Sequence, residues 1–173
     1  TYHYGDVVQL TATASLGWHF ADWAEDLTGT DNPAFLTIDG DKVVIASFAQ
    51  DEYVLDANVV GQGVVTKDPD QPTYHYGDTV QLCATPAIGW EFSGWSGDVT
   101  GTEDCVAVTM DGHKTVTATF VPIEYTLTIN VDGPGTVGKF PDQATYHYGD
   151  AVQLTATPTD PCYTFDYWSG DLT

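Results

Sequence analysis

Apolar side chains recur at every second position along much of this chain. In the middle they stand at Tyr53, Leu55, Ala57 and Val59, and the same period returns at Val80, Leu82 and Ala84, at Val106, Val108 and Met110, and at Val116, Ala118 and Phe120. A period of two places alternate side chains on one face and is typical of a half-buried β-strand. The pattern therefore predicts strands at each of these places.

Two further strands complete a predicted set of six. One begins at Val64-Val65, after a turn at Gly61-Gln62-Gly63, and another carries the aromatic run from Trp90 to Trp95. Asp111-Gly112 is typical of a hairpin turn between the last two strands. No stretch has helical periodicity, so the fold class is all-β, although a short helical turn at 74–78 is left open. Short connections favour antiparallel pairing.

The chain repeats itself with a period of 72 residues. Thr-Tyr-His-Tyr-Gly-Asp stands at 1–6, 73–78 and 145–150, and the same offset links Trp18 to Trp90. We therefore divide the chain into a partial unit at 1–50, a complete unit at 51–122 and a partial unit at 123–173. Trp168 lies 73 residues after Trp95, so the third unit carries one inserted residue.

A unit of this size is close to the lower limit for a self-sufficient hydrophobic core. Further stabilisation is expected from packing between neighbouring units, from a disulfide or from a bound ion.

Charge limits the classes of partner. The chain has 4 Lys plus Arg against 25 Asp plus Glu, for a net charge of -21. Such a surface repels nucleic-acid phosphates and anionic lipid heads, which argues against nucleic acid as a partner. A saline or calcium-containing exterior suits this charge better than cytosol does, because salt screens the repulsion. No apolar run is long enough to span a membrane.

The motifs as a set resemble the divergent internalin-B B-repeat family. They are the strand and glycine turn at 125–137, the Tyr-His-Tyr-Gly-Asp lead-in and strand at 74–86, Phe-Ser-Gly-Trp-Ser-Gly-Asp at 92–98, and Met-Asp-Gly-His-Lys-Thr-Val-Thr-Ala-Thr-Phe at 110–120. The resemblance covers essentially the whole chain. It implies a small β-grasp-like fold, a place on the cell surface and no enzyme activity. Ala24-Glu25-Asp26 in the first unit departs from the Ser-Gly-Asp motif.

Two cysteines of the middle unit suggest a disulfide. Cys83 lies between inward-facing Leu82 and Ala84, and Cys105 precedes inward-facing Val106, so both point away from the apolar face. We predict a Cys83–Cys105 bond, which would stabilise the unit by about 2–4 kcal/mol in an oxidising compartment. Cys162 has no equivalent in the other units.

Acidic loop residues admit two interpretations. Asp98, Glu103 and Asp104, with Asp26 and Asp31 in the first unit, could supply oxygen ligands to calcium, the one cofactor the sequence suggests. Their spacing matches neither an EF-hand nor a nonapeptide repeat. Solvated turn carboxylates are the preferred interpretation, because aspartate hydrogen-bonds the backbone of such turns.

The recurring aromatic residues also admit two interpretations. Trp18, Trp23, Trp90, Trp95 and Trp168 are predicted core residues, because they recur at fixed places beside phenylalanines. A sugar-stacking platform is the alternative if some of them face solvent.

No catalytic site is predicted. Ser96 and Ser169 lack the spacing of a nucleophile elbow, and the first unit has Ala24 at their position. His3, His75 and His147 are one repeated position with no second ligand at metal spacing.

The sequence thus favours a structural segment of a long extracellular surface protein, acting as a stalk, an adhesin shaft or a filament subunit. Its predicted partners are neighbouring repeats or subunits of the same protein, with no nucleic acid and no membrane span. The alternative is a module whose loops bind a glycan, a protein or calcium.

Overall fold

The computed structural model describes residues 1–171, which form β-strands and no helix. The all-β prediction is confirmed, and no helical turn forms at 74–78. The strands are β1 Val7–Leu10, β2 Trp18–Glu25, β3 Ala34–Thr37, β4 Val44–Gln50, β5 Leu55–Val60, β6 Gly63–Asp68, β7 Thr79–Pro86, β8 Trp90–Gly97, β9 Cys105–Thr109, β10 Lys114–Pro122, β11 Gly135–Phe140 and β12 Gln153–Pro158.

The middle unit is a sandwich of two three-stranded sheets. One sheet has the order β5-β10-β8 and the other the order β6-β7-β9, so the six predicted strands are all present. The buried side chains come from both sheets: Val80, Leu82 and Ala84 from β7 face Val116, Ala118 and Phe120 from β10. A second sheet, rather than the helix of a β-grasp arrangement, covers the first.

One strand pair runs parallel, which differs from the predicted antiparallel pairing. β5 lies beside β10 with Leu55 opposite Lys114 and Val60 opposite Thr119. The other pairs of the unit, β8 with β10, β6 with β7 and β7 with β9, are antiparallel. The rule that short connections give antiparallel pairs applies to consecutive strands. β5 and β10 are the first and last strands of the unit, so the rule does not apply to them.

The predicted hairpin at Asp111-Gly112 is wrong. β9 pairs with β7, whereas β10 pairs with β5 and β8, so the turn carries the chain from one sheet to the other. The Gly61-Gln62-Gly63 turn does the same between β5 and β6. A Cβ on Gly61 would overlap the Phe120 carbonyl oxygen, and one on Gly63 would lie 2.5 Å from the Phe120 ring. Glycine lets this corner pack directly on β10.

The outer units repeat parts of the same sandwich. In the first unit β1 pairs with β3 and β2 with β4, as β7 pairs with β9 and β8 with β10. In the third unit β11 pairs with β12, as β6 pairs with β7. The largest buried cluster lies wholly between Leu55 and Phe120, so the middle unit has a core of its own.

Candidate functional sites

A disulfide closes one edge of the middle unit. Cys83 on β7 and Cys105 on β9 are register partners with Cα atoms 4.1 Å apart, and their sulfurs are bonded at 2.09 Å. Leu82 and Ala84 beside Cys83 are buried in the core. The cysteine side chains therefore lie on the outer face of the sheet, as their sequence positions indicate. Cys162 is a free, exposed thiol.

The first unit closes the corresponding edge without sulfur. The Asn32 side-chain amide accepts a hydrogen bond from the Ala12 N–H at 2.9 Å and donates one to the Ala12 carbonyl at 2.7 Å. Ala12 and Asn32 align with Ala84 and Asp104, next to the two cysteines. Two hydrogen bonds made by the Asn32 side chain in the first unit and a covalent bond in the middle unit thus hold equivalent parts of the sheet together. The sequence signal for this was the asparagine at the aligned position.

Two tryptophans have a second role besides filling the core. Trp95 and Trp23 are 5% and 7% exposed. The Trp95 indole N–H donates to the Glu103 carbonyl at 2.9 Å, and that of Trp23 donates to the Asp31 carbonyl at 2.8 Å. Each ring therefore fixes the backbone of the acidic loop that follows its strand. A buried indole needs such a partner, and the repeat supplies the same one twice.

The other predicted core tryptophans are less buried. Trp90 packs against the core, and Trp168 is half-buried, but Trp18 is 42% exposed and its assignment to the core is wrong. In the middle unit the β5–β6 corner covers the equivalent ring, because a Cβ on Gly61 would lie 2.9 Å from the Trp90 ring. The described part of the first unit has no such corner.

The acidic loops are organised around the backbone. The Asp98 carboxylate accepts the Thr115 N–H at 2.6 Å, and Asp26 accepts the Val43 N–H at 2.7 Å at the equivalent place. Within residues 1–171, no group of three or more His, Cys, Asp or Glu side chains is placed to hold a metal ion. Asp98, Glu103 and Asp104 are exposed and are not gathered into one such cluster.

All four lysines of the chain are paired with an aspartate three residues away. Lys42–Asp39 and Lys114–Asp111 occupy one recurring corner, and Lys67–Asp70 and Lys139–Asp142 occupy another. The hydrogen bond and the charge of Lys114 hold the pKa of Asp111 below its ordinary value, and the hydrogen bond from Asp111 raises the pKa of Lys114. The remaining acidic side chains give the surface its strong negative charge.

The Tyr-His-Tyr-Gly-Asp connection is a closed turn. In each unit the Asp carboxylate accepts the backbone N–H of the histidine three residues earlier, at 2.7 to 2.8 Å. Tyr74, 1% exposed, donates its hydroxyl proton to the Pro69 carbonyl at 2.8 Å. The repeated aspartate thus has a structural role, and the histidine backbone is its partner.

Ser96 lies on the exposed side of β8, opposite Thr117 in the register. Threonine cannot act as a general base, so this cross-strand neighbour does not activate the serine.

An open groove of about 580 Å³ lies on the inner face of the first unit. Its apolar lining includes Val8, Leu10, Leu36, Ile38 and Val44. The residues aligned with them in the middle unit, Val80, Leu82, Val108, Met110 and Val116, are buried in the core. The groove is therefore the interior of the sandwich, which β5 and β6 cover in the middle unit.

Comparison with known families agrees with this repeating architecture. A family model described as the divergent InlB B-repeat domain matches residues 1–52, 53–124 and 125–173. The chain belongs to the divergent InlB B-repeat family. The three B-repeat matches cover the whole chain and confirm the resemblance found in the sequence. No curated protein and no solved structure matches the chain significantly.

Membership of the B-repeat family suggests a structural repeat of a surface-associated protein. The family is a repeat domain and not a known enzyme class. Among the described residues, no helix is long and apolar enough to cross a membrane.

Proposed function

We propose that this B-repeat segment is an extended spacer of an extracellular surface protein, forming part of a stalk, an adhesin shaft or a filament. The observation that carries the proposal is the parallel pairing of β5 with β10. Because the two strands run side by side in the same direction, the chain enters the sandwich at one end and leaves it at the other. Consecutive units must then follow one another end to end.

The dimensions suit a spacer. β10 has nine residues, which corresponds to about 30 Å of strand. Each repeat of 72 residues would therefore add about that length to the array. The net charge of -21 makes neighbouring units repel one another, which opposes collapse of the array onto itself.

Small-angle X-ray scattering of the intact chain tests the proposal. A compact protein of 173 residues would have a radius of gyration of about 16 Å. An end-to-end array should instead give about 20–25 Å, with a long tail in the pair-distance distribution. A radius close to the compact value would show that the units fold back on one another and would contradict a spacer role.

A filament is the second candidate, because the end-to-end order set by the parallel β5–β10 pair suits separate molecules as well as units of one chain. Association of subunits in this order would join molecules head to tail. Sedimentation velocity distinguishes the two candidates: growth of the sedimentation coefficient with concentration supports the filament, and a concentration-independent monomer supports the covalent spacer.

The binding-module alternative is confined to the loops. The bonds from Asp98 and Trp95 fix the loop backbone and leave the Glu103 and Asp104 side chains exposed. Exposed carboxylates could recruit calcium or a cationic partner without any change in the frame. If these carboxylates bind calcium, CaCl2 should stabilise the protein more than MgCl2 does at equal ionic strength.

A further inference from the structure

The same close contact joins the first unit to the second and the second to the third. A Cβ on Gly17 would overlap Tyr76 Cβ and lie 2.9 Å from its Cγ. A Cβ on Gly89 would overlap Tyr148 Cβ and also lie 2.9 Å from its Cγ. Both partners are offset by the 72-residue period, so the two contacts are one repeated feature.

The connecting segment is fixed by hydrogen bonds on both sides of this contact. At the first joint the Asp51 N–H donates to the Gly17 carbonyl at 2.8 Å, and Tyr53 and Tyr74 exchange backbone bonds of 2.8 and 2.9 Å. Only Glu52 lies between the residue bonded to one unit and the residue bonded to the next.

The second joint repeats the arrangement. The Ile123 N–H donates to the Gly89 carbonyl at 2.9 Å, and Tyr125 and Tyr146 exchange two backbone bonds of 2.8 Å each. Glu124 takes the place of Glu52. Each junction glycine thus holds the connecting segment with its carbonyl oxygen and receives the next unit's tyrosine against its backbone.

The exposure of the tyrosines is consistent with this contact. Tyr4, which faces no preceding glycine in the described residues, is 87% exposed. Tyr76 and Tyr148, which meet Gly17 and Gly89, are 45% and 64% exposed.

We propose that this glycine–tyrosine contact is an interlock that sets the orientation of the second B-repeat on the first and of the third on the second. The partner surface is the Tyr-His-Tyr-Gly-Asp turn of the following unit, and the interlock makes the connection a stiff joint instead of a free linker. The inference rests on the proposed spacer function and adds how stiffness is achieved. Because glycine alone leaves room for the tyrosine, the joint depends on that one missing side chain.

The third unit has no glycine at the position that this joint requires. The Tyr163 N–H donates to the Asp160 carbonyl at 3.0 Å, as Trp18 donates to Ser15 and Trp90 to Ala87, so Cys162 occupies the place of Gly17 and Gly89. The cysteine Cβ would meet a docking tyrosine where the two glycines leave space. A tyrosine-bearing unit could not dock on the third unit in the same geometry.

Limited proteolysis of the intact chain with a glutamate-specific protease tests the interlock, since Glu52 and Glu124 mark the two joints. Gly89→Ala should speed cleavage after Glu124 by at least about tenfold while cleavage after Glu52 is unchanged, and Gly17→Ala should show the opposite selectivity. Gly5→Ala is the matched control, because Gly5 lies in the first unit's turn, which takes part in neither joint. Gly5 has a φ of +90°, close to the +79° of Gly89, but a Cβ there would meet nothing within 4 Å, so both cleavage rates should stay as in the parent chain.

The proposal requires each glycine variant to speed cleavage at its own joint and to leave the other joint unchanged. Equal rates in the parent chain and both joint variants would overturn it, as would an equally large effect of Gly5→Ala. Glu91 lies within β8, opposite Val121, so cleavage after Glu91 requires the middle unit to open, and a rise there in step with Glu124 would also overturn the proposal. Scattering separates this result from the spacer function: unchanged cleavage with an extended particle removes the interlock alone, whereas a compact particle removes the spacer.

Discussion

At the residue scale, aligned positions of the first and middle units adopt the same left-handed backbone conformation with different residues. Gly97, at the end of β8, has a φ of +99°, and the aligned Glu25 at the end of β2 has a φ of +72°. A side chain pays a steric cost in this left-handed region, and glycine does not. In the middle unit the site is also crowded, because a Cβ on Gly97 would overlap the Thr115 carbonyl oxygen.

Replacing Gly97 by alanine should therefore destabilise the middle unit by about 2–4 kcal/mol, through left-handed strain and contact with Thr115 combined. The free energy of unfolding from urea titration, followed by tryptophan fluorescence, measures this loss. Glu25→Gly is the reciprocal variant. It relieves strain in the folded state but raises the conformational entropy of the unfolded chain, so the net effect should be a stabilisation under about 1 kcal/mol. A Gly97→Ala variant as stable as the parent would show that this turn is not held in the left-handed conformation.

The residues that the sequence located correctly are those whose position follows from the strand alternation. Cys83 could be placed outside the core because its neighbours Leu82 and Ala84 define the inner face. Trp18 could not be placed by the same argument, because its burial depends on a corner supplied by two other strands. The glycine–tyrosine contact could not be predicted from the sequence either, because Gly17 and Tyr76 are 59 residues apart and no local pattern links them.

At the element scale, the disulfide joins β7 to β9 only in the middle unit. The cysteines are 22 residues apart, and aligned positions in the first unit are Thr11 and Pro33. Closing a loop of this length restricts the unfolded chain and should contribute about 2–4 kcal/mol. Reduction of the protein should lower the free energy of unfolding of the middle unit by that amount.

Alkylation followed by mass spectrometry checks the bond directly. The denatured, unreduced chain should take up one alkyl group, at Cys162, and the reduced chain should take up three. Cys162→Ser should abolish labelling of the unreduced chain and leave its stability unchanged, which makes it the matched control. Three labelled thiols in protein prepared under oxidising conditions would contradict the Cys83–Cys105 bond.

The sequence predicted the strands well and their partners less well. Alternation of side chains located six strands in the middle unit, because a strand with one buried face must show it. The turns at Gly61-Gln62-Gly63 and Asp111-Gly112 indicated only that the chain reverses. Whether the next strand continues the same sheet or crosses to the other depends on core packing across the sandwich, which a local turn signal does not contain.

At the scale of the whole molecule, repulsion between like charges destabilises the fold, and added salt can reduce it. With a net charge of -21, the melting temperature should rise as NaCl increases from about 10 mM to 1 M, because the screening length falls from about 30 Å to 3 Å. At equal ionic strength CaCl2 and MgCl2 should give nearly the same stabilisation as each other.

A calcium-specific increase at concentrations far below those needed for screening would contradict this charge account. It would instead support the alternative in which loop carboxylates such as Glu103 and Asp104 bind calcium. Substitution of Glu103 and Asp104 by glutamine and asparagine should then remove the calcium effect and leave the NaCl effect in place.

Hydrogen–deuterium exchange of the intact chain tests most directly the central claim that the middle repeat folds around its own core. The account predicts the slowest exchange in β7 and β10, whose inward side chains form the buried cluster of the middle unit, and a step to faster exchange on crossing Glu52 or Glu124. Uniform protection from residue 1 to 171, rising and falling in a single cooperative transition, would show one continuous core and would contradict the account.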